Sequence, residues 1–286
     1  MRTDEPIMTL QAHILEQQAH YPESTGTFSW ILSALSISAK VIADKVRRAR
    51  LTNVVGAGRS GKVASEQEQE LFDPLDGSSN LDVCGGVGTI FSILRHDRRA
   101  SRAQDSLLQP GLQQVAAGYV LYGPSTIFVL SIGQGVDMFV PAPAIGAFLR
   151  VERSIRIPAA SKNYSLNEGN RPTFPAGYQR YLDWAQHNGY SARYAGAMVA
   201  DVHRILLKGG VFMYPPTKKA PNGKLRLMYE ANPMAMLIEQ AGGKALAAPG
   251  QRVLEGQPTD IHQRTPLILG SPDEVDHVVA RLAESG

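Results

Sequence analysis

The sequence predicts a layered α/β fold, in which layers of helices alternate with layers of mixed β-sheet. Helical and strand-like patterns alternate through both halves of the chain. A hydrophobic content of 43% with 19% charged residues is typical of a globular protein with a sizeable core. The 286 residues suffice for two domains. Because the stretch at 150–160 is basic and extended, we expect an N-terminal domain at 1–155 and a C-terminal domain at 156–286.

The composition excludes several classes of protein. No apolar run approaches the roughly 20 residues that a membrane helix needs, and the N-terminus lacks the apolar core of a secretion signal. Cys84 is the only cysteine, so an intramolecular disulfide is impossible and a reducing, cytoplasmic location is expected. A net charge of +3 is too small an excess to indicate nucleic acid. We therefore expect neither a nucleic-acid partner nor a membrane partner.

In the first half, apolar residues at helical spacing predict an amphipathic helix over 27–50. Residues 51–72 show no periodicity, and we expect a loop there. Short β-branched or aromatic runs then predict four strands, at 89–94, 115–122, 126–132 and 136–140. The glycines at 133 and 135 favour a hairpin between the last two of these strands.

In the second half, helix signals and strand signals continue to alternate. A helix is expected over 196–208, and the run 211–214 reads as a strand. Asn232 is the expected N-cap of the next helix, with a proline at its first position. Ser271 and Glu274 have the spacing of a capping box, which predicts the start of the last helix.

The densest group of reactive residue types is the segment 72–80, FDPLDGSSN. Asp73 and Asp76 can converge on a hard divalent cation, and Leu75 can offer its carbonyl oxygen between them. The small residues at 77–79 can bring backbone N–H groups close to a phosphate. The same residue types are also common in an ordinary turn between strands, so a turn without a metal is the alternative interpretation.

Together with the motifs that follow, this segment resembles the type I fructose-1,6-bisphosphatase family of the magnesium-dependent, lithium-sensitive sugar phosphatases. The matching motifs keep the family's order from 72 to 275; among them are FDPLDGSSN, VGTIFSILR, YSLNEGN, GAMVADVHR, NGKLRLMYEANPMA and IHQRTPLILGSP. The resemblance implies the sugar-phosphatase fold of alternating helix and mixed β-sheet layers. It also implies an effector-side N-terminal domain carrying the metal motif, a sugar-phosphate-binding C-terminal domain, and a homotetramer.

The activity implied by the resemblance is the hydrolysis of fructose 1,6-bisphosphate to fructose 6-phosphate and phosphate, in gluconeogenesis or the Calvin cycle. The implied cofactor is Mg²⁺, which Mn²⁺ can replace. Two alternatives stay open. One is a bifunctional enzyme that also accepts sedoheptulose 1,7-bisphosphate, and the other is a catalytically impaired paralogue that binds sugar phosphate.

The resemblance also assigns individual residues. The implied metal ligands are Asp73, the carbonyl of Leu75, Asp76 and Glu230. The implied phosphate contacts are the amides of Gly77 and Ser78, with Ser79 beside them, and the cations Lys224 and Arg226. The implied contacts to the sugar and its distal phosphate are Asn167, Tyr194, Met198 and Tyr214, and Arg193 matches an arginine that reaches a neighbouring subunit's site. From the residues alone, Glu230 reads as a solvated acid beside a helix and the two cations as a solvated basic loop.

The chain departs from the family between its first long helix and Phe72, where the interval is short. Only Ser65, Glu66 and Gln67 resemble the family's Ser-Glu-Glu tract, so Glu66 is a candidate metal ligand and catalytic acid. Gln67 cannot accept a proton as a carboxylate does. Two explanations are open: a real deletion that damages catalysis, or a longer chain whose loop residues are left out of the sequence.

Overall fold

The computed structural model describes residues 7–19, 26–48, 61–64, 68–97, 100 and 103–284. The first half of this part forms a seven-stranded antiparallel sheet, in which each strand pairs with the next along the chain. Its strands are β1 (Gly61–Ala64), β2 (Glu68–Asp76), β3 (Val87–Arg95), β4 (Gln114–Tyr122), β5 (Thr126–Ser131), β6 (Asp137–Ala142) and β7 (Ala147–Glu152).

The second half forms a six-stranded mixed sheet and a two-stranded ladder. The strands of the mixed sheet, in spatial order, are β13 (Gln251–Arg252), β12 (Lys244–Ala248), β15 (Leu267–Gly270), β10 (Val211–Tyr214), β8 (Asn163–Ser165) and β9 (Ser191–Ala192). The ladder pairs β11 (Leu225–Arg226) with β14 (Arg264–Thr265). Seven α-helices accompany the sheets in the described residues: α1 (Leu10–Ala19), α2 (Gly26–Arg47), α3 (Ala103–Leu107), α4 (Ala176–His187), α5 (Met198–Lys208), α6 (Asn232–Gln240) and α7 (Pro272–Ala283).

Helices and sheets stack in five alternating layers. Strand β3 is buried on both faces: Phe91 packs with α1 and α2, whereas Ile90 faces the opposite cluster. That second cluster fills the space between the two sheets and is built around α5 and α6. Helices α4 and α7 cover the far face of the second sheet. The predicted layered α/β architecture is therefore confirmed. No helix in the described ranges is both long enough and apolar enough to cross a membrane.

The predicted elements agree with the structure wherever the hydrophobic pattern was strong. The long helix predicted over 27–50 is α2, which ends at Arg47, and residues 49–50 lie outside the described part. The four predicted strands are β3 to β6, with ends shifted by one or two residues. The predicted hairpin joins β5 to β6.

Two local predictions are wrong in these elements, and a third, the N-cap at Asn232, is described with the site below. The loop expected over 51–72 contains β1 and the first residues of β2, because β2 pairs with β3 along nearly its whole length. Residues 51–60 lie outside the described part. The last helix does begin after Ser271 as predicted, but the capping box itself does not form. The Ser271 hydroxyl donates to the carbonyl of Pro158 (2.6 Å) and accepts from Gly210 N–H (3.0 Å), while Glu274 Oε1 accepts from Ser161 N–H (2.9 Å). Tertiary hydrogen bonds have replaced the local ones.

Candidate active site

A β-bulge at the end of β2 puts two acids on the same face of the sheet. Asp73 pairs with Ile90 and Asp76 with Gly88, so three steps along β2 match only two steps along β3. Side chains alternate between faces in a regular strand, so residues three apart would point to opposite faces. The bulge adds one residue to β2, and this extra residue brings the side chains of Asp73 and Asp76 back to the same face of the sheet. Both acids belong to the strand, and the turn of the alternative interpretation begins after them.

Local hydrogen bonds hold the bulge in place. Leu75 N–H donates to Asp73 Oδ1 (3.1 Å), and the Thr89 hydroxyl of the adjacent strand donates to the carbonyl of Pro74 (2.9 Å). A proline has no N–H to contribute to a ladder, so it is tolerated at a bulge. The bulge therefore fixes the backbone positions from which the side chains of Asp73 and Asp76 extend.

Glu230 reaches the same place from the second half of the chain. It lies in a π-helical turn, Leu227–Ala231, that runs directly into α6. Asn232 is consequently not an N-cap: its backbone is helical (φ −60°, ψ −49°) and its side chain caps no N–H. The wider π turn also suits Pro233, which cannot donate an N–H back along the helix. Turns of this kind are frequent at functional sites.

Asp73, Asp76 and Glu230 form a cluster that we call the acid trio, with one carboxylate oxygen of each lying within 4.8 Å of the others. Burial raises the pKa of the Asp73 carboxyl, and it raises the pKa of Asp76 to about 7 and that of Glu230 to about 8. For Asp76 and Glu230, repulsion between the carboxylates adds to this effect.

The protein offers the acid trio only partial compensation. Val199 N–H, in the first turn of α5, donates to Asp76 Oδ2 (2.8 Å), and Arg226 N–H donates to Glu230 Oε2. The Arg226 guanidinium also favours the ionised form of Glu230. Three crowded carboxylates with an excess of negative charge match the oxygen donors that hard divalent cations require. The acid trio could therefore hold a metal ion.

Gly77 follows the acid trio in a conformation that suits glycine. Its φ is +72°, and a Cβ atom there would lie 2.3 Å from the Cβ of Ala197. It precedes a short 3₁₀ turn, Ser78–Val83, in which Ser78 is half-buried and Ser79 is exposed. The small residues expected to approach phosphate thus lie directly after Asp76 of the acid trio and against the start of α5.

Two residues that sequence reasoning missed fix the loop before α5. Asp201, which is 3% exposed, accepts hydrogen bonds from Ala195 N–H (2.8 Å) and Gly196 N–H (3.2 Å). Asn80 Nδ2 donates to the carbonyl of Ala195 (3.1 Å). The predicted helix begins only at Met198, because Gly196 has a φ of +79°. Asp201 lies in the first turn of the observed helix but at the sixth position of the helix predicted over 196–208, so the predicted start hid this signal.

The loop before α5 places Tyr194 next to the acid trio. Burial raises the pKa of the Tyr194 hydroxyl, and Tyr214, Asp201 and Asp76 raise it further, whereas a hydrogen bond with the Asn167 side chain lowers it. Tyr194 is nevertheless 43% exposed, so its ring is open to a ligand. The structure thus brings Tyr194 and Asn167 together at the edge of the site.

Tyr214 and Met198 border the acid trio from two other elements. Tyr214 ends β10, and its pKa is raised by burial and by the nearby Glu230 and Asp76 carboxylates. Met198 begins α5; its side chain is 5% exposed in the central core, while its backbone N–H hydrogen-bonds Asp76. Met198 therefore faces the site with its backbone.

Among the remaining candidate residues that the structure describes, Arg226 lies beside the acid trio and the others do not. Arg226 is half-buried beside Glu230, and its Nη1 donates to the carbonyl of His262 (2.8 Å). Lys224 is exposed one residue before β11, and Arg193 is exposed with its Nη1 on the carbonyl of Ala192 (3.1 Å). Neither is brought into contact with the acid trio. Glu66 lies outside the described residues.

Comparison with known proteins agrees with this geometry. A profile described as the fructose-1-6-bisphosphatase C-terminal domain matches residues 157–283, and the corresponding N-terminal profile matches 8–71 and 69–153. Curated fructose-1,6-bisphosphatases of class 1 from Chlorobium chlorochromatii (98% of each chain covered) and Synechococcus elongatus (99% of this chain and 95% of the relative) are each 42% identical over 331 positions. The crystal structure of Leishmania major fructose-1,6-bisphosphatase in holo form superposes with a TM-score of 0.90 at 35% identity, covering 97% of this chain and 100% of the other.

The comparisons also locate the departure seen in the sequence. The N-terminal profile matches in two pieces that overlap at residues 69–71, just before the FDPLDGSSN segment. The alignment to the Chlorobium relative spans 331 positions against the 286 residues of this chain, so that relative has residues without a counterpart here. Outside this interruption the family match is continuous over nearly the whole sequence, and the chain belongs to the class 1 fructose-1,6-bisphosphatase family.

Proposed function

We propose that this chain hydrolyses the 1-phosphate of fructose 1,6-bisphosphate, releasing fructose 6-phosphate and inorganic phosphate. The observation that carries the proposal is the acid trio, in which three carboxylates from two distant segments converge beside Tyr194 and Tyr214. The curated relatives named fructose-1,6-bisphosphatase class 1 support the same activity. The chain is thus a phosphoric monoester hydrolase.

Mg²⁺ is the proposed metal, and Mn²⁺ is its substitute. The ligands would be the carboxylates of the acid trio and the carbonyl of Leu75, a set made only of oxygen atoms, which Mg²⁺ prefers. Glu66 is a further candidate ligand from the segment outside the described residues. When bound, the metal would neutralise phosphate charge and make a coordinated water more acidic.

The other proposed roles follow from the position and chemistry of each group. The amides of Gly77 and Ser78 and the guanidinium of Arg226 bind the oxygens of the reacting phosphate, where negative charge must be stabilised during hydrolysis. Ser79 lies beside them. The sugar and its distal phosphate are held by the side chains of Asn167, Tyr194, Tyr214 and Lys224, and Met198 borders them with its backbone. Fixing the substrate at both ends keeps the scissile P–O bond in place for attack by water.

The test is phosphate release from fructose 1,6-bisphosphate, with Mg²⁺ and with a chelator. We expect release of one phosphate per substrate, dependent on Mg²⁺, and no release from fructose 6-phosphate. Sedoheptulose 1,7-bisphosphate in the same assay separates the bifunctional alternative from the narrower one. Binding of fructose 1,6-bisphosphate without any phosphate release would contradict the proposed activity and identify the impaired paralogue.

We further propose that copies of this chain assemble into a homotetramer in the cytoplasm. Helix α2 carries an exposed apolar stripe at helical spacing, with Trp30 80%, Ile37 60% and Val41 51% exposed. A stripe of this kind on a folded chain is typical of a surface that another chain covers. A second copy is the occupant that we propose. The single cysteine, Cys84, fits a reducing compartment.

Replacing Ile37 by Glu should shift the assembly towards smaller species, because the charge would be buried at the interface. The measurement is the molar mass in solution by size-exclusion chromatography with light scattering. Leu112→Glu is the matched control, since Leu112 is 49% exposed in a different part of the surface. An unchanged mass for Ile37→Glu would exclude the α2 stripe as the interface.

A further inference from the structure

We propose that His262 is a positioning residue that holds Arg226 and the turn carrying Glu230 in register with each other. This inference rests on the proposed function, because it assigns His262 a task in the same site. His262 bonds to both partners, one through its backbone and the other through its ring. We call this pair of contacts the His262 clamp.

The backbone contact fixes the phosphate-binding arginine. Arg226 Nη1 donates to the carbonyl of His262 (2.8 Å), and this is its only side-chain hydrogen bond among the described residues. The next residue is tied to the same segment, since Leu227 N–H donates to the carbonyl of Gln263 (2.8 Å). A guanidinium has five N–H donors, so the others remain available to a phosphate.

The ring contact fixes the π turn. Tyr229, one residue before Glu230, shares a hydrogen bond between its hydroxyl and His262 Nδ1 (2.8 Å), with the two rings edge to face at 5.9 Å. Apart from its hydroxyl, Tyr229 packs in a small apolar cluster with Leu71 and Met228. Because Leu71 belongs to β2, the same tyrosine links the π turn to the strand that carries Asp73.

The segment that carries His262 is a loop that is held by its own hydrogen bonds and borders a cavity. His262 N–H donates to Asp260 Oδ1 (2.7 Å), and Gln263 Oε1 accepts from Thr259 N–H (2.8 Å), so the loop holds its own shape. Its other side lines an open cavity of about 810 Å³. Ile261 packs against the same apolar cluster as Tyr229, and the His262 clamp adds the two contacts that tie the loop to Arg226 and to the π turn.

The clamp predicts a defined pattern among variants. Tyr229→Phe and His262→Leu should each lower kcat about tenfold, the scale expected when a group that orients a metal ligand is lost. KM for fructose 1,6-bisphosphate should change little, because the sugar contacts lie on other elements. His262→Asn keeps a polar atom near the Nδ1 position and should retain most of the activity. Combining Tyr229→Phe with His262→Leu should cost no more than either change alone.

The controls separate this role from general stability. Tyr181→Phe is the matched control, because Tyr181 is buried and its hydroxyl has no hydrogen-bond partner. The second readout is the increase in Tm caused by Mg²⁺ alone, which requires no turnover; it should be smaller in Tyr229→Phe than in the parent and in Tyr181→Phe. An inactive parent would refute the proposed function, while the Mg²⁺-induced Tm shift would still decide the clamp. Unchanged kcat and Tm shift, or His262→Asn as impaired as His262→Leu, would overturn it.

Discussion

Replacing Glu230 by Gln is expected to lower the kcat for phosphate release more than about 100-fold while the chain still folds. Loss of a group that merely orients a metal ligand costs about 10- to 100-fold in metal affinity or activity, so loss of the ligand charge should cost more. Glu230 is the one member of the acid trio supplied by the second half of the chain. Without its charge the metal would lose one side of its proposed site, and the Mg²⁺ concentration for half-maximal activity should rise.

The measurement is kcat at saturating substrate over a series of Mg²⁺ concentrations, with the Tm of each variant recorded. Glu255→Gln is the matched control: its carboxylate is exposed and pairs with Arg252 at 3.3 Å. That control should leave both kcat and the Mg²⁺ dependence unchanged. A Glu230→Gln variant with normal Mg²⁺ dependence would remove Glu230 from the metal site.

The metal-free protein is expected to lose stability as the pH rises from 5 to 8. The pKa of Asp76 is about 7 and that of Glu230 about 8 in the folded protein, above the value near 4 of an unfolded carboxyl. Between these values the folded state binds more protons than the unfolded chain, so the free energy of unfolding falls as pH rises. For Asp76 alone the shift corresponds to on the order of 2–4 kcal/mol. Divalent metal should restore stability at pH 8, where it replaces the protons.

Asp76→Asn tests this explanation, because the amide removes one charge and can still accept the hydrogen bond from Val199 N–H. In a chelating buffer its Tm should fall less between pH 5 and pH 8 than that of the parent, and at pH 8 it should exceed it. Thermal unfolding followed by tryptophan fluorescence measures both. Asp276→Asn, which changes an exposed acid paired with Lys244, is the control and should keep the parent's pH slope. If the Tm of Asp76→Asn and the Tm of the parent fell equally between pH 5 and pH 8, Asp76 would not be a cause of the loss of stability.

The sequence was informative where hydrophobic periodicity was strong, as in α2 and β3 to β6. It failed at β1 and β2, since the residues before Phe72 have no periodic pattern and become a strand by pairing with β3. It also failed on the capping hydrogen bonds expected at Ser271 and Asn232, although the last helix does start after Ser271. Ser271 bonds to Pro158 and Gly210 instead, and Asn232 continues a π turn in which its own N–H donates to the carbonyl of Leu227. Local signals of this kind are overridden when tertiary partners offer better bonds.

The residues of the candidate site also differ in how well the sequence could predict them. Asp73 and Asp76 could be singled out from one short segment, whereas Glu230 entered only through the family resemblance, because no local pattern links it to them. Asp201 and His262 carried no recognised signal, since each acts through contacts that exist only in the folded chain. Residues that support a site are thus harder to find than residues that form it.

The bulge in β2 makes the site depend on chain length as well as on chemistry. Removing Leu75 would turn Asp76 to the α2 side of the sheet without altering any carboxylate. Substitutions at this position that keep the backbone should be tolerated better than any change in the number of residues. A single lost codon here would cost more than most missense changes around it.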